Sequence, residues 1–253
     1  MSGGVTLSRR RLIGGLAAGG LLGGCDRLGE VPAVRHLLFS AEDAHRALQR
    51  RLVDRMALAR EYREDQMSPV FRMNGTRNPG TADYAAHLAN GFADWRLRVD
   101  GLVARPLALD LAAIKAMPMR TQITRHDCVE GWSAIGKWHG PPLSLLLDRA
   151  GLRPEARYIV FHCADSLGGR PYYESIDLVD AFHPQTILAW GMNNRTLPVG
   201  HGAPLRLRVE RQLGYKQAKY VMRIEAVASL AAIHGGKGGL WEDLAGYEWY
   251  AGI

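Results

Sequence analysis

Arg125-His126-Asp127-Cys128-Val129-Glu130-Gly131-Trp132 decides how the rest of the chain is read. A lone cysteine follows a short β-like run, Thr121 to Thr124, where strand gives way to loop. The thiolate is the reactive and metal-ligating form of cysteine, and positive or hydrogen-bond-donating neighbours favour it. Arg125 and His126 act in that direction; Asp127 and Glu130 oppose it. Cys128 can therefore be a metal ligand, a nucleophile working with His126, or half of a disulfide with Cys163. No CxxC, HxxxH or HExxH spacing supports a zinc site, and no papain-like signature surrounds the cysteine. Soft sulfur suits transition metals, and one protein sulfur suffices only where a cofactor brings the remaining ligands.

On the N-terminal side, Trp95 to Gly101 alternates and ends in Asp-Gly, a strand followed by a turn. Asp110 is placed to cap a short helix through Met117. Met67 to Gly91 reads as an irregular stretch broken by Pro69, Gly75, Pro79 and Gly80. Val31 to Phe39 reads as a linker; Ser40 and Asp43 then resemble a capping box opening an amphipathic helix through Ala59. On the C-terminal side, Pro142 to Ala150 is a helix closed by Gly151. Tyr158 to Cys163 and Tyr172 to Ile176 read as strands, with Asp177 capping a helical turn after them. Thr186 to Trp190, Pro204 to Val209 and Tyr220 to Val227 follow as strands, with a turn at Met192 to Arg195. Cys163 ends its run, where a cysteine is usually a small buried apolar group. Leu205, Leu207 and Val209 alternate with Arg206 and Arg208, giving one apolar and one cationic face. Many short strands and few short helices, without regular βαβ alternation, predict an α+β fold with mixed sheets. Gly235-Gly236-Lys237-Gly238-Gly239 lacks the spacing of a phosphate-binding loop and reads as a surface loop.

Composition allows a full core: 253 residues, 47% of them hydrophobic. The net charge of +7 comes without basic runs interleaved with aromatics, so no nucleic-acid partner is expected. Removing residues 1–24 loses Arg9, Arg10 and Arg11 and no acid, leaving +4, a balance suited to anionic lipid or an anionic ligand. Ser8-Arg9-Arg10-Arg11-Leu12-Ile13 and the glycine-rich apolar run after it look like a twin-arginine export signal. Leu22-Gly23-Gly24-Cys25 looks like a lipoprotein cleavage box, so a periplasmic protein tethered to the membrane through lipidated Cys25 is expected. The expected organisation is a signal at 1–24, a tether and amphipathic helix at 25–66, and one domain at 67–253.

His201-Gly202-Ala203-Pro204-Leu205-Arg206 and Gly214-Tyr215-Lys216-Gln217-Ala218-Lys219-Tyr220 concentrate cations and hydrogen-bonding groups. Arg206, Lys216 and Lys219 are candidates to clamp a phosphate, and solvated surface charge is the alternative for each.

Together with Cys128-Val129-Glu130-Gly131-Trp132, Trp138-His139-Gly140, Tyr172 to Ile176 and Met192-Asn193, these blocks resemble the sulfite-oxidase-like molybdopterin-binding oxidoreductases. That family includes exported bacterial members that reduce methionine sulfoxide, and the resemblance covers roughly residues 70–228. It implies one molybdenum-molybdopterin per chain, with Cys128 as the metal ligand and no haem in this chain. It further implies cofactor contacts from Asn74, Cys163, His201, Arg206, Gln217 and Lys219, with Lys216 as a companion. Tyr172 matches a tyrosine of the substrate pocket, and Arg72 lies near an arginine of the sulfite-oxidising members. His201 resembles the sulfite-oxidising motif where sulfoxide reductases carry asparagine, and Val209-Glu210-Arg211 replaces a Val-Pro step. No counterpart of the cytochrome and immunoglobulin-like domains of sulfite oxidases is expected. The expectation is oxygen-atom transfer on a small sulfur-containing oxyanion or sulfoxide, with electrons exchanged through a separate partner such as a membrane cytochrome. The rivals are a non-catalytic lipoprotein binding a ligand or partner on the same fold, and a thiol enzyme using Cys128 with His126.

Overall fold

The computed structural model describes residues 31–253. The arginine leader and Cys25 lie outside the described residues. The chain divides into two compact units, the first ending at Leu52 and the second running from Val53 to Ile253.

The described part of the first unit is one helix, Pro32–Leu52. It overturns the linker expected over Val31 to Phe39. Proline suits a first helical position, where its missing N–H costs nothing and its φ is already helical. Ser40 therefore sits inside the helix, its hydroxyl donating to the Leu37 carbonyl at 2.7 Å, and caps nothing. Asp43 pairs instead with Arg46 at 2.8 Å. Arg50 and Arg51 occupy the last turn, where cations complement the helix dipole. Among the described residues no helix is long and apolar enough to cross a membrane.

The helix stops short of Ala59 because residues 53–66 are bound into the second unit. Gln185 brackets Ala59, accepting from its N–H at 2.7 Å and donating to its carbonyl at 2.9 Å. The Tyr62 N–H reaches the Ile123 carbonyl at 2.9 Å. The second compact unit starts at Val53.

Its larger sheet has five strands in the order β2-β1-β11-β5-β6: β1 Arg96–Gly101, β2 Leu107–Asp110, β5 Tyr158–Leu167, β6 Arg170–Asp177 and β11 Val221–Val227. Only β1 and β11 pair in parallel. A second sheet orders β3-β4-β8-β9, with β3 Arg120–Asp127, β4 Ser133–Gly140, β8 Gly191–Met192 and β9 Arg195–Thr196. β7 Ile187–Ala189 and β10 Arg206–Arg208 form a separate pair. These mixed sheets with short helices are the α+β architecture expected.

The caps fall where the short polar residues stand. Asp110 and Asp177 accept from the N–H three residues on, at 2.7 and 2.9 Å, and open the helices Leu111–Lys115 and Leu178–Ala181. Gly151, at φ 69°, closes the helix Leu143–Ala150, whose Leu143, Leu146, Leu147 and Ala150 enter the main core. β5 is apolar on consecutive residues because both its faces are covered. Ile159 and Phe161 face the main core, while Val160 packs with Tyr173 and Leu240.

Four further expectations change. β3 runs on through Arg125, His126 and Asp127, and β4 pairs with it residue for residue, so Cys128-Val129-Glu130-Gly131-Trp132 is the loop of a β-hairpin. β5 continues past Cys163, which sits at a break in register between His162 and Ser166, not at a strand end. The irregular stretch 67–91 contains the helix Ala82–Ala89, capped by Thr81 and held by the Tyr84 hydroxyl on the Ala203 carbonyl at 2.7 Å. Gly238 and Gly239 are buried, so the glycine run is only partly a surface loop.

Candidate active site

The Cys128 loop closes on itself: the Cys128 N–H donates to the Trp132 carbonyl at 2.9 Å, and the Gly131 N–H to the Cys128 carbonyl at 3.0 Å. Gly131, at φ 83°, lets the chain reverse. Cys128, Val129 and Glu130 then form one wall of a cavity of about 340 Å³. Asn74, Gly75 and Thr76 of the irregular stretch form a second wall. Asp165, Leu167 and Tyr172 come from β5 and β6, and Gly214, Tyr215, Gln217 and Lys219 from the β10–β11 connection. Trp241 and Tyr247 complete it from the C-terminal segment. A larger, shallower depression of about 510 Å³ lies by the β8–β9 turn around His139, Trp190 and Arg195; none of the candidate residues lines it.

Five candidates named from sequence therefore line one cavity: Asn74, Cys128, Tyr172, Gln217 and Lys219. His201 and Arg206 lie behind that wall. Arg206 is fully buried, donating to the carbonyls of His201 at 3.0 Å and Gln217 at 3.4 Å, with its guanidinium 4.9 Å from the Trp138 ring centre. Burial, and Arg208 next to it, pull Arg206 down to about 9. The cationic face of β10 thus turns inward onto Trp138, where the flat guanidinium groups find a π face instead of solvent.

Lys219 donates to the carbonyls of Asn74 at 2.7 Å, Thr76, and Gly200 at 3.1 Å. All three ammonium protons are thereby used to hold the irregular stretch against the domain. Burial and Arg206 bring Lys219 down to about 7, an imbalance that an anionic ligand would relieve. Lys216 does not join this group. It is fully buried between Glu174 at 2.5 Å and Glu242 at 2.7 Å; burial lowers it, and the two carboxylates outweigh that and raise it. With its partners so close, Lys216 is engaged inside the protein as a structural cation and is not the phosphate companion expected. Arg72 is exposed and lines no part of the cavity, and Cys163 lies outside the lining as well.

Among the described residues both cysteines, Cys128 and Cys163, are free thiols, which excludes the disulfide between them in this structure. Burial pushes the Cys163 thiol well up, helped by Asp165 and Glu174. Burial also raises the Cys128 thiol, a backbone hydrogen bond at Glu130 working against it. His126 is wholly buried; burial, Arg208 and Arg206 hold it well below its usual value, and its Nδ1 accepts from Arg208 at 3.1 Å. Neither group favours its charged form, so Cys128 and His126 make a poor thiolate pair.

Among the described residues no three His, Cys, Asp or Glu side chains gather to hold an ion. A metal at Cys128 must therefore bring its other ligands in a cofactor, and the surroundings fit one. Cys128 supplies a single soft donor, Gln217 turns a buried Oε1 with no partner, and Arg206 keeps a buried Nε with none. Tyr172 is held neutral, burial raising its phenol and Glu174 adding to it, and donates to the Tyr215 carbonyl at 2.9 Å. The sequence reading missed Thr76, Asp165, Trp241 and Tyr247. Only the aromatic character of the last two marked them, since nothing local said that the C-terminal segment folds back.

Residues 85–231 match the family described as oxidoreductase molybdopterin binding domain. The chain is 37% identical over 249 residues, 97% of its length and 86% of the relative's, to "Putative protein-methionine-sulfoxide reductase subunit YedZ1" of Azospira oryzae. It also superposes on the sulfane dehydrogenase SoxCD of Paracoccus pantotrophus with a TM-score of 0.51 and 23% identity, over 60% of this chain and 41% of that one. The SoxCD likeness concerns the fold, and this chain spans less than half of that structure. The chain belongs to the molybdopterin-binding oxidoreductases of the sulfite-oxidase-like family.

Proposed function

We propose that this oxidoreductase moves an oxygen atom at a small sulfur-centred substrate, reducing a sulfoxide, with Cys128 as the protein ligand of the metal. The observation that carries the reading is the meeting of Cys128, Asn74, Tyr172, Gln217 and Lys219 around one cavity, although they come from four separate stretches of chain. The molybdenum cofactor, when bound, supplies the oxygen-accepting metal and the two-electron chemistry. This chain supplies the rest. Cys128 offers the sulfur from a hairpin loop, Gln217 orients an anionic group that the Lys219 charge attracts, and the neutral Tyr172 phenol holds a proton at Oη. The rest of the wall is largely apolar, from Val129, Leu167, Tyr215, Trp241 and Tyr247, with carboxylates at Glu130 and Asp165. Such a wall suits an uncharged sulfoxide better than a sulfite anion, and the sulfoxide-reductase name of the Azospira relative agrees.

Reduction of a sulfoxide to a thioether consumes two electrons and two protons and releases water. A separate redox subunit is proposed as the electron source, a reading supported by the word subunit in the relative's name. Export and tethering at Cys25 are proposed from the leader alone.

The test is metal analysis together with turnover. Protein made in cells able to build the cofactor should hold about one molybdenum per chain and reduce sulfoxides from a reduced viologen faster than it oxidises sulfite. Cys128→Ala should abolish turnover. Metal-free wild type that is fully active, or Cys128→Ala as active as wild type, would defeat the reading.

A further inference from the structure

The C-terminal segment lies outside the part of the chain that matches the family, which ends at residue 231. It nonetheless builds one side of the cavity. The helix Leu240–Ala245 carries Trp241, and Gly246, at φ 66°, turns the chain back so that Tyr247 follows. The two rings stack 5.7 Å apart at 21°, and Tyr247 meets Tyr215 edge-on at 5.0 Å. Tyr215 in turn donates from its hydroxyl to the Glu248 carbonyl at 2.6 Å. The result is a continuous aromatic surface in the cavity that the Cys128 loop also lines.

What holds that face in place is the buried cation that the cofactor does not use. Lys216 Nζ lies between Glu174 of β6 and Glu242 of the Trp241 helix, with all three side chains shielded from solvent. Glu242 follows Trp241 directly, so the ion pair fixes the helix turn that presents the indole. The glycine run makes this approach possible. A Cβ on Gly239 would stand 2.0 Å from Glu242 Oε2 and 2.5 Å from Glu174 Oε1, and one on Gly238 would stand 2.5 Å from Trp249. Ser175 Oγ, donating to the Gly238 carbonyl at 2.5 Å and accepting from Trp249 Nε1 at 2.8 Å, fastens the same edge. Breaking such a buried cluster on one side leaves an uncompensated charge, so the segment is held in one arrangement.

We infer that Trp241 and Tyr247 are specificity-determining residues for the thioether end of the substrate, and that Lys216 positions them by clamping Glu242 to Glu174. The inference rests on the sulfoxide reading above and says which residues select that substrate. Sulfur is polarisable and packs favourably on aromatic rings, so two stacked rings in the same cavity as the metal-ligand cysteine grip an alkyl sulfoxide by its carbon–sulfur end. A compact sulfite anion gains nothing from them.

The test compares holoenzyme variants on N-acetylmethionine sulfoxide methyl ester with a reduced viologen as donor, and measures binding of the corresponding unreactive sulfone by calorimetry. Trp241→Ala and Tyr247→Ala should raise KM and weaken sulfone binding by roughly three- to tenfold while kcat stays within about twofold. Lys216→Met should shift KM the same way with molybdenum content unchanged. Where Lys216→Met fails to fold, Glu242→Gln takes its place and should give the same split. Unchanged KM and sulfone affinity in both aromatic variants would overturn the inference, and so would loss of molybdenum from Lys216→Met at unchanged sulfone affinity. Wild type that binds the sulfone but reduces no sulfoxide would instead defeat the proposed reaction, leaving the binding comparison to judge the aromatic face.

Discussion

Arg208 and Glu210 meet in a two-pronged pair, Nε to Oε1 at 2.9 Å and Nη2 to Oε2 at 2.6 Å, with neither side chain reaching solvent. The same guanidinium donates to His126 Nδ1 at 3.1 Å and lies 4.2 Å from the centre of the Trp138 ring. Glu210 also accepts from Gln122 Nε2 at 2.8 Å. The pair thus ties β10 to β3 two residues before the Cys128 loop begins. Glu210→Ala strands a buried guanidinium and should cost about 3–5 kcal/mol, read from the midpoint of chemical denaturation. Glu210→Gln keeps an acceptor and should cost less. A Glu210→Ala protein within 1 kcal/mol of wild type would show that the pair supports little.

Glu210 also shows where sequence reading stops. It was visible only as a departure from a family motif, and nothing local named Arg208 as its partner. The period of two in β1 and β10, the Asp110 and Asp177 caps and the Gly151 terminus were all legible, because each is a short-range rule acting within four residues. The Cys128 motif and the Gln217–Lys219 block stood out as a site only through the family resemblance, since Cys128 by itself left a metal ligand, a nucleophile and half a disulfide all open. The uses of the cations were not legible, because a carboxylate such as Glu174 lies 42 residues from Lys216 and only the fold brings them together. The helix from Pro32 was hidden by expecting Ser40 to be a cap, when its hydroxyl is content with a carbonyl one turn back.

Lys219→Met should loosen the Asn74–Thr76 wall. The substitution keeps the length of the side chain but removes the ammonium that donates to the carbonyls of Asn74, Thr76 and Gly200, leaving only the Tyr220 hydroxyl on Thr76 at 3.0 Å. Backbone amides of residues 74–80 should exchange with solvent at least tenfold faster, while those of β5 and β11 stay protected. Exchange followed by mass spectrometry reads this directly. Uniform exchange across the domain would point to general unfolding, and no change at 74–80 would show that the wall is held by other contacts.

His201 makes stability depend on acid. Burial, with Arg206 and Lys219 adding to it, lowers its imidazole from 6.5 to about 4. Between those values the unfolded chain binds the proton and the folded chain does not, so stability is complete above pH 6.5 and declines as pH falls towards 4. His126 and His183 are lowered as well and contribute in the same direction. His201→Asn should therefore reduce the decline without removing it, the slopes of the two stability curves differing by up to about one proton, ~1.4 kcal/mol per pH unit, between pH 6.5 and 4. Thermal unfolding in that range checks it; parallel curves would show that His201 titrates normally in the fold.

Gly131 separates the backbone requirement of the Cys128 loop from its packing. Its φ of 83° is one that L side chains rarely adopt, yet a Cβ there would meet nothing within 4 Å. Gly131→Ala thus carries no overlap, only the cost of the left-handed conformation, about 1–2 kcal/mol. If the loop keeps its shape, stability falls by that amount and molybdenum content stays at the wild-type level. If the loop gives way instead, the hydrogen bond from the Gly131 N–H to the Cys128 carbonyl is the first to go, because the residue that moves is the one that makes it. The sulfur would then shift and molybdenum retention would fall with little loss of global stability. Measuring both quantities on the one variant tells these outcomes apart. Since β3 and β4 pair along their full length up to Asp127 and Ser133, the strand ends hold the loop, and the first outcome is expected.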